Sequence, residues 1–242
     1  MKIGICDYGI GGIGLYKLIR PRTTADIVYF SDSGFTPYGK VPEPELKLRL
    51  EKVIDWFHSQ GVDQIAVACN AASTVIRPSQ DITGIIPHGI NTVMRNDVQS
   101  VGIIGGARII DSGLYKDVFE KNGIHTEQQV AQSLSLRIEA GDTESEELDE
   151  DIASILEPLQ HVDYILLACT HYPAIAQRLK KFTYAQLLDP CEEMAEWIFE
   201  NWEGMNGESK DQWYTTGNPE QMKIAAQKAF GVELNEIERI GL

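Results

Sequence analysis

The chain has 242 residues, of which 43% are hydrophobic, and a formal net charge of -15. No apolar stretch approaches the roughly 20 residues that cross a bilayer, so a membrane-spanning protein is not expected. The acidic balance also disfavours a nucleic acid or an anionic membrane as partner, because a phosphate-binding face needs clustered Lys and Arg.

Apolar runs alternate with helix-period stretches along the chain, which is the pattern of an α/β fold with mostly parallel strands. Met1-Lys2-Ile3 leads directly into the first strand without the features of a signal peptide, so we expect a cytoplasmic protein. The predicted strands are Lys2 to Cys6, Ile27 to Phe30, Gln64 to Ala68, Val101 to Ile104, Tyr164 to Ala168 and Gln186 to Leu188.

One crossover helix is predicted between the second and third strands. Apolar residues from Leu46 to Phe57 fall on one helical face, Pro44 suits a first turn, and Gly61 suits the end of the helix. Much of the negative charge lies further on, between Gly141 and Asp151, where we expect a solvated loop that enters a helix with acids in its first turn.

The glycines of Gly9-Ile10-Gly11-Gly12-Ile13-Gly14 spell the G-x-G-x-x-G of a dinucleotide-binding turn, and Asp32 lies near the place of a ribose-binding carboxylate. However, Asp7 stands between the strand and the first glycine. A carboxylate about 4 Å from a pyrophosphate charge repels it by ~1 kcal/mol in water and by more when buried. We therefore interpret the glycines as a tight strand-to-helix turn whose amides can meet a small carboxylate, and expect no cofactor.

A weak internal repeat divides the chain into two halves. Ile3-Gly4-Ile5 recurs as Val101-Gly102-Ile103, and the segment 65–70 recurs as 165–170 at almost the same offset. Buried strands can converge by chance, but both copies carry a cysteine, Cys69 or Cys169, where the apolar strand gives way to polar residues. The four cysteines form no C-x-x-C pair, which argues against a zinc site or a disulfide framework and predicts free thiols.

Polar side chains directly follow most of the predicted strands, and the carboxyl ends of parallel strands are where ligands bind. We expect the following residues at one edge of the sheets: Asp7, Asp32, Ser33, Cys69, Asn70, Ser73, Thr74, Cys169, Thr170, His171 and Asp189. A single cysteine at a strand end is more often a small buried hydrophobic residue than a nucleophile. Two in matched positions would flank a ligand, which suits proton removal from one face of a carbon and proton delivery to the other.

Such chemistry needs one thiolate and one thiol, and a nearby cation favours the thiolate. His171, two residues after Cys169, is the best candidate for that cation, although a lone histidine is also commonly structural. Asp7 can accept or relay a proton near the other thiol, or cap a helix that begins near Gly11.

Four segments together carry a resemblance to the glutamate racemases of the cofactor-independent aspartate/glutamate racemase superfamily, and the similarity runs nearly end to end. They are Ile3 to Gly12, Tyr29 to Ser33 with Pro37-Tyr38-Gly39, Ala68-Cys69-Asn70-Ala71-Ala72-Ser73, and Ala168-Cys169-Thr170-His171-Tyr172-Pro173. Weaker matches are Ile138-Glu139-Ala140-Gly141, Leu188-Asp189 and Tyr214-Thr215-Thr216-Gly217.

The resemblance implies two similar doubly wound α/β domains with the active site in the cleft between them. The limits would be 1–94, completed by 206–242, and 95–205. It further implies racemisation of glutamate or a related acidic amino acid by two cysteine thiols, no cofactor or metal, a homodimer, and a role in peptidoglycan synthesis. The implied catalytic residues are Cys69, Cys169, Asp7, His171 and Glu139, and the implied substrate contacts are Ser33, Pro37, Tyr38, Gly39, Asn70 and Thr170.

Two departures affect the substrate pocket. Tyr8 replaces the family's serine after the first Asp, and Ala71 replaces its threonine after Cys-Asn. Each lost hydrogen bond to a charged group is worth roughly 1.5 to 3 kcal/mol. We hypothesise that the Tyr8 ring leans into the space left at Ala71, or that it blocks the site of a non-catalytic relative. Aspartate or hydantoin racemase, maleate isomerase and arylmalonate decarboxylase activities are the enzymatic alternatives. The two cysteines disfavour the decarboxylase, which has one.

Overall fold

The computed structural model describes residues 1–242 and contains two parallel β-sheets flanked by helices. The strands of the first sheet are β1 (Lys2–Asp7), β2 (Asp26–Ser31), β3 (Gln64–Val67), β4 (Ile82–Gly84), β9 (Asp211–Thr215) and β10 (Ile237–Arg239). Those of the second sheet are β5 (Ser100–Gly105), β6 (His125–Val130), β7 (Tyr164–Ala168) and β8 (Gln186–Leu188).

The helices cover the faces of both sheets. They are α1 (Ile13–Ile19), α2 (Glu43–Ser59), α3 (Asn70–Ser73), α4 (Ile85–Met94), α5 (Ala107–Ser112), α6 (Leu114–Lys121), α7 (Gln132–Glu139), α8 (Glu146–Leu156), α9 (Ala176–Leu179), α10 (Pro190–Asn201) and α11 (Pro219–Phe230). Short 3-10 helices lie at Arg20–Arg22, Tyr38–Lys40, Glu157–Leu159 and Tyr172–Ile175. None of the helices has the length and apolar content needed to cross a membrane.

The order of the strands confirms the α/β fold with two similar halves. The first sheet has the order β10-β9-β2-β1-β3-β4, and the second has the order β6-β5-β7-β8. Four strands of the first sheet therefore repeat the arrangement of the second, with β1 equivalent to β5 and β3 equivalent to β7. These are the strands that carry the short sequence repeat.

All six predicted strands are present, and four further strands were not predicted. Two of these, β6 and β9, are rich in polar residues, and β4 and β10 have three residues each. The helix predicted over residues 46–57 is α2, with Leu46, Leu50, Val53 and Phe57 buried. Gly61 follows it with a φ of +69°, in the left-handed region that favours glycine.

The two halves share a continuous core. One cluster of 50 buried hydrophobic residues includes side chains of both sheets, and a second cluster of 15 lies between the first sheet and α2. Helix α4 packs on α10, and α10 packs on α1. The C-terminal segment returns to the first half, where β9 pairs with β2 and Arg49 donates a hydrogen bond to the backbone oxygen of Leu242. The limits at 94/95 and 205/206 stay a prediction.

Candidate active site

A cavity of about 310 Å³ lies between the two sheets, at the carboxyl ends of β1, β3, β5 and β7. The structure brings every predicted catalytic and substrate-contacting residue, together with both departures from the family pattern, to the wall of this one cavity. They are Asp7, Tyr8, Ser33, Pro37, Tyr38, Gly39, Cys69, Asn70, Ala71, Glu139, Cys169, Thr170 and His171. The catalytic and binding roles of these residues stay predictions.

Other residues expected at this edge have structural roles outside the cavity. Asp32 is completely buried and accepts hydrogen bonds from Arg49 and Tyr38. The Ser73 hydroxyl donates to the Val67 carbonyl oxygen. These two residues follow their strands but do not line the cavity. The same is true of Thr74 and Asp189, which bond to the Ala71 carbonyl oxygen and to the Cys191 amide respectively. Asp189 follows β8, an edge strand of the second sheet, whereas Asp32 follows β2, the direct neighbour of β1.

Several residues of the cavity wall were not predicted from the sequence. Those with polar or charged side chains are Arg108, Gln132, Ser135, Asn218 and Gln221. Gln132 and Ser135 begin α7, which follows the unpredicted strand β6. Arg108 follows the Gly105-Gly106 end of a predicted strand, so its position carried a usable signal. Its guanidinium donates to the backbone oxygens of Tyr38 and Val41, and thereby joins α5 to the first half.

Cys169 follows β7 and belongs to a chain of three polar side chains. Its Sγ lies 3.7 Å from Nδ1 of His171, and Nε2 of His171 lies 2.7 Å from Oε2 of Glu139. Burial of the His171 ring opposes protonation, but the hydrogen bonds to Cys169 and Glu139 outweigh it and hold the pKa of His171 well above its ordinary value. The imidazolium therefore places a positive charge beside the Cys169 sulfur.

Cys69 has a different charge environment. It is 8% exposed and precedes α3. Burial and then the negative charge of Asp7 raise the pKa of the Cys69 thiol well above its ordinary value, and a hydrogen bond from the Ala72 amide offsets part of this effect. Cys69 is therefore a neutral thiol at physiological pH, on the same cavity as the sulfur that faces the imidazolium.

Asp7 is completely buried at the end of β1. One carboxylate oxygen accepts from the Gly9 amide at 3.1 Å, and the other accepts from the Thr170 hydroxyl at 2.9 Å. Burial raises the pKa of Asp7 to about 6, while the charge of His171 acts in the opposite direction. The interpretation of Asp7 as a helix cap is wrong, because α1 begins at Ile13, with Gly12 at its N-cap and no side-chain cap.

The glycine-rich turn lies against side chains of the second half. A Cβ atom at Gly9 would lie 2.1 Å from the Glu139 carboxylate, and one at Gly11 would lie 2.2 Å from the Thr170 hydroxyl. The amide of Ile10 donates to Glu139 at 2.9 Å. Glycine is needed here because the two halves approach closely, and Glu139 and Thr170 cover the turn where a pyrophosphate would bind.

Tyr8 forms part of the cavity wall and leaves the cavity open. Its hydroxyl donates to the backbone oxygen of Phe35 at 3.3 Å, and its ring centroid lies 5.3 Å from that of Tyr38. Tyr8 and Ala71 pack against the same small hydrophobic cluster. Burial, followed by the charges of Glu139 and Asp32, raises the pKa of Tyr8 to about 12, so the side chain is neutral.

Asn70 supplies an unpaired donor to the cavity. Its Oδ1 accepts from the Tyr115 hydroxyl at 2.8 Å, whereas its buried Nδ2 has no partner. A buried donor without a partner costs about 1 to 3 kcal/mol. A carboxylate bound in the cavity would satisfy it. The site thus combines a thiol, a sulfur beside an imidazolium, one buried and one partly buried carboxylate and a free amide donor, which together suit proton exchange at a carbon that bears charged groups.

Comparisons with known proteins show the family and the fold of the chain. Residues 21–197 match the model of the Asp/Glu/Hydantoin racemase family. The glutamate racemase of Persephonella marina is 30% identical over 100% of this chain and 98% of its own, and that of Carboxydothermus hydrogenoformans is 28% identical over 100% and 97%. The crystal structure of a Francisella tularensis glutamate racemase in complex with D-glutamate superposes with a TM-score of 0.86 at 22% identity, over 99% of this chain and 97% of that one.

Proposed function

The chain belongs to the Asp/Glu/Hydantoin racemase family, and we propose that it interconverts the enantiomers of glutamate with Cys69 and Cys169 as its two acid–base groups. The observation that carries the proposal is the unequal charge environment of two cysteines on one cavity. Burial and Asp7 keep Cys69 protonated, whereas Cys169 lies beside a protonated His171.

In one direction of the reaction, the Cys169 thiolate removes the Cα proton and becomes a thiol. The electron pair of the broken C–H bond is delocalised into the α-carboxylate, and the Cα atom becomes planar. Cys69 then delivers its proton to the opposite face and becomes a thiolate, which completes the inversion. The reverse direction uses the same groups with exchanged roles. General acid–base steps of this kind depend on groups held within hydrogen-bond reach of the reacting atom.

Charged groups of the substrate have matching partners in the cavity wall. The free Nδ2 of Asn70 suits a carboxylate, and the carboxylates of Asp7 and Glu139 suit the ammonium group. We assign further contacts to Ser33, Pro37, Tyr38, Gly39 and Thr170, together with the departures at Tyr8 and Ala71. Glutamate is the proposed substrate because the relatives named above are glutamate racemases and one was solved with D-glutamate bound.

Proton exchange tests the activity directly. The protein is incubated in deuterated water with single enantiomers of glutamate, aspartate and neutral amino acids, and loss of the Cα proton is followed by NMR. We expect exchange with both enantiomers of glutamate. Exchange confined to aspartate would move the substrate to another member of the family, and absence of exchange across the panel would support a non-catalytic relative.

Substitution of the two thiols tests the mechanism. Cys69→Ala and Cys169→Ala should each abolish racemisation, because each removes one of the two acid–base groups. Cys191→Ala is the matched control, since this thiol is also buried and free but does not line the cavity. Wild-type turnover in either of the first two variants would contradict the two-thiol assignment.

We further propose a cytoplasmic location, together with a homodimer and a supply of D-glutamate to peptidoglycan synthesis, the last two of which rest on the family resemblance. Light scattering coupled to size-exclusion chromatography should give twice the 27.0 kDa chain mass. A single-chain mass across the working concentration range would contradict the dimer.

A further inference from the structure

We infer that His125, Glu127 and His161 form a surface site for a divalent transition-metal ion such as Zn²⁺. This site lies far from the active-site cavity. His125 and Glu127 are two residues apart on β6 and therefore project to the same face of that strand. His161 lies in the turn between the 3-10 helix Glu157–Leu159 and β7. The site thus joins two segments that the sheet brings together.

The three side chains already converge. Nε2 of His125 lies 3.1 Å from Oε1 of Glu127, and Nε2 of His161 lies 2.7 Å from the same oxygen. The ligand atoms of all three residues lie within 4.8 Å of one another. Donor atoms around a tetrahedral zinc ion with bonds of about 2.1 Å stand roughly 3.4 Å apart. Both measured separations lie within about 0.7 Å of that value, so side-chain rotations that move the donors slightly apart suffice to admit the ion.

The chemistry of the donors fits zinc. Two imidazoles and one carboxylate are a common protein ligand set for this ion, with water in the fourth position. The side chains of His125, Glu127 and His161 are 64%, 31% and 57% exposed, so an ion can reach them and keep a bound water. The net charge of the chain, -15, also favours an approaching cation.

The affinity should be moderate. In high-affinity zinc sites, the second ring nitrogen of each histidine donates to a carboxylate or carbonyl group, and loss of such a partner costs 10- to 100-fold in affinity. The second ring nitrogens of His125 and His161 make no hydrogen bond. We therefore expect a dissociation constant in the micromolar range rather than the nanomolar range.

The position separates this site from catalysis. His125 begins β6, whereas the cavity residue Gln132 follows the end of that strand, so the six residues of β6 place roughly 20 Å between them. β6 is the edge strand of the second sheet and pairs with β5 alone. A bound ion would fasten this edge strand to the segment that leads into β7, and would thereby stabilise the second half without touching the reacting groups.

Calorimetric titration of the full chain with Zn²⁺ tests the proposal. We expect one equivalent to bind with micromolar affinity, and saturation at about 100 times the dissociation constant to raise the melting temperature by roughly 5 to 10 °C. Because Zn²⁺ also binds thiolates, the Cys69→Ala/Cys169→Ala variant is titrated in parallel, and it should retain this equivalent.

His125→Ala, Glu127→Gln and His161→Ala should each weaken binding at least tenfold and leave racemisation unchanged. His58→Ala is the matched control, because His58 is an exposed histidine that faces a single carboxylate, Asp81, at 3.2 Å. It should bind Zn²⁺ as the wild type does. The proposal is overturned if the wild type shows no saturable binding, or if its zinc equivalent survives in His125→Ala and His161→Ala.

Discussion

Glu139→Gln tests the charge arrangement around Cys169 most directly. The amide keeps an oxygen that can accept from the Ile10 amide, but it removes the negative charge that faces His171. Hydrogen bonds to charged groups contribute about 1.5 to 3 kcal/mol. The preference of His171 for its imidazolium form should therefore weaken roughly 10- to 150-fold, since 1.4 kcal/mol corresponds to a factor of ten.

Loss of the imidazolium should appear in the rate and in its pH dependence. We expect kcat/KM for glutamate to fall about 10- to 100-fold at neutral pH, and by the same factor for both enantiomers, because the equilibrium constant of a racemisation is one. The pKa of His171 lies well above its ordinary value in the wild type, so the alkaline limb of the pH profile should move to lower pH in the variant. NMR titration of the imidazole protons follows His171 itself.

The free energy of unfolding of the Glu139→Gln variant, measured as a function of pH, supplies a second test. A histidine whose pKa is raised on folding contributes stability that is fully present below its unfolded pKa of about 6.5, and that is lost as the pH rises through the folded value. Urea unfolding should therefore show the largest deficit of Glu139→Gln below pH about 6.5, with convergence on the wild type at alkaline pH.

The matched control is Glu150→Gln. Glu150 is an exposed acid on α8 that makes no ion pair, and its substitution changes the net charge by the same amount. It should leave kcat/KM and the titration of His171 unchanged. If Glu139→Gln also retains the wild-type kcat/KM and the wild-type titration of His171, Glu139 does not control the charge beside Cys169 and this reasoning is refuted.

Three further predictions concern substrate binding in the cavity, the acid limb of the pH profile, and the buried pair of Asp32 and Arg49. Tyr8→Ser combined with Ala71→Thr replaces the Tyr8 phenol with a short hydroxyl, adds a second hydroxyl at position 71, and should lower KM for glutamate at least tenfold in steady-state kinetics; an unchanged or higher KM would mean that Tyr8 itself aids binding. Since burial raises the pKa of Asp7 to about 6, its carboxylate is protonated below that pH, and kcat/KM should fall there in the wild type but not in Asp7→Asn. Asp32→Asn breaks a buried pair with Arg49 and should reduce the free energy of unfolding by about 3 to 5 kcal/mol in denaturant titration; a loss below about 1 kcal/mol would contradict this.

Hydrophobic patterning predicted the central strands correctly because both of their faces are buried. β1 and β5 read as continuous apolar runs and lie between two neighbours each. β6 reads His-Thr-Glu-Gln-Gln-Val and is partly exposed, because an edge strand has a neighbour on one side alone. Its position depends on hydrogen bonds to β5, which leave no local sequence signal.

The residues that line the cavity were predicted in part from their positions after the strands. Polar residues after β1, β3 and β7 reach the cavity because these strands face the cleft. Asp32 follows β2 and was expected beside them, but its carboxylate accepts hydrogen bonds from Arg49 and Tyr38, whereas the next residue, Ser33, does line the cavity. The direction and the partners of each side chain decide between these outcomes, and the local sequence does not encode them. Arg108 reaches the first half only because the two halves face each other.

The glycine-rich turn from Gly9 to Gly14 illustrates how one sequence pattern can have two physical causes. In a dinucleotide-binding turn, glycine lets the backbone approach a pyrophosphate. Here Gly9 and Gly11 let the backbone approach Glu139 and Thr170, and Glu139 in turn holds His171 beside Cys169. The turn therefore helps to fix the distance between the halves on which a two-thiol reaction depends. An added methyl group at Gly9 would displace Glu139 and one at Gly11 would displace Thr170, so these positions constrain the cavity wall through side chains of the other half.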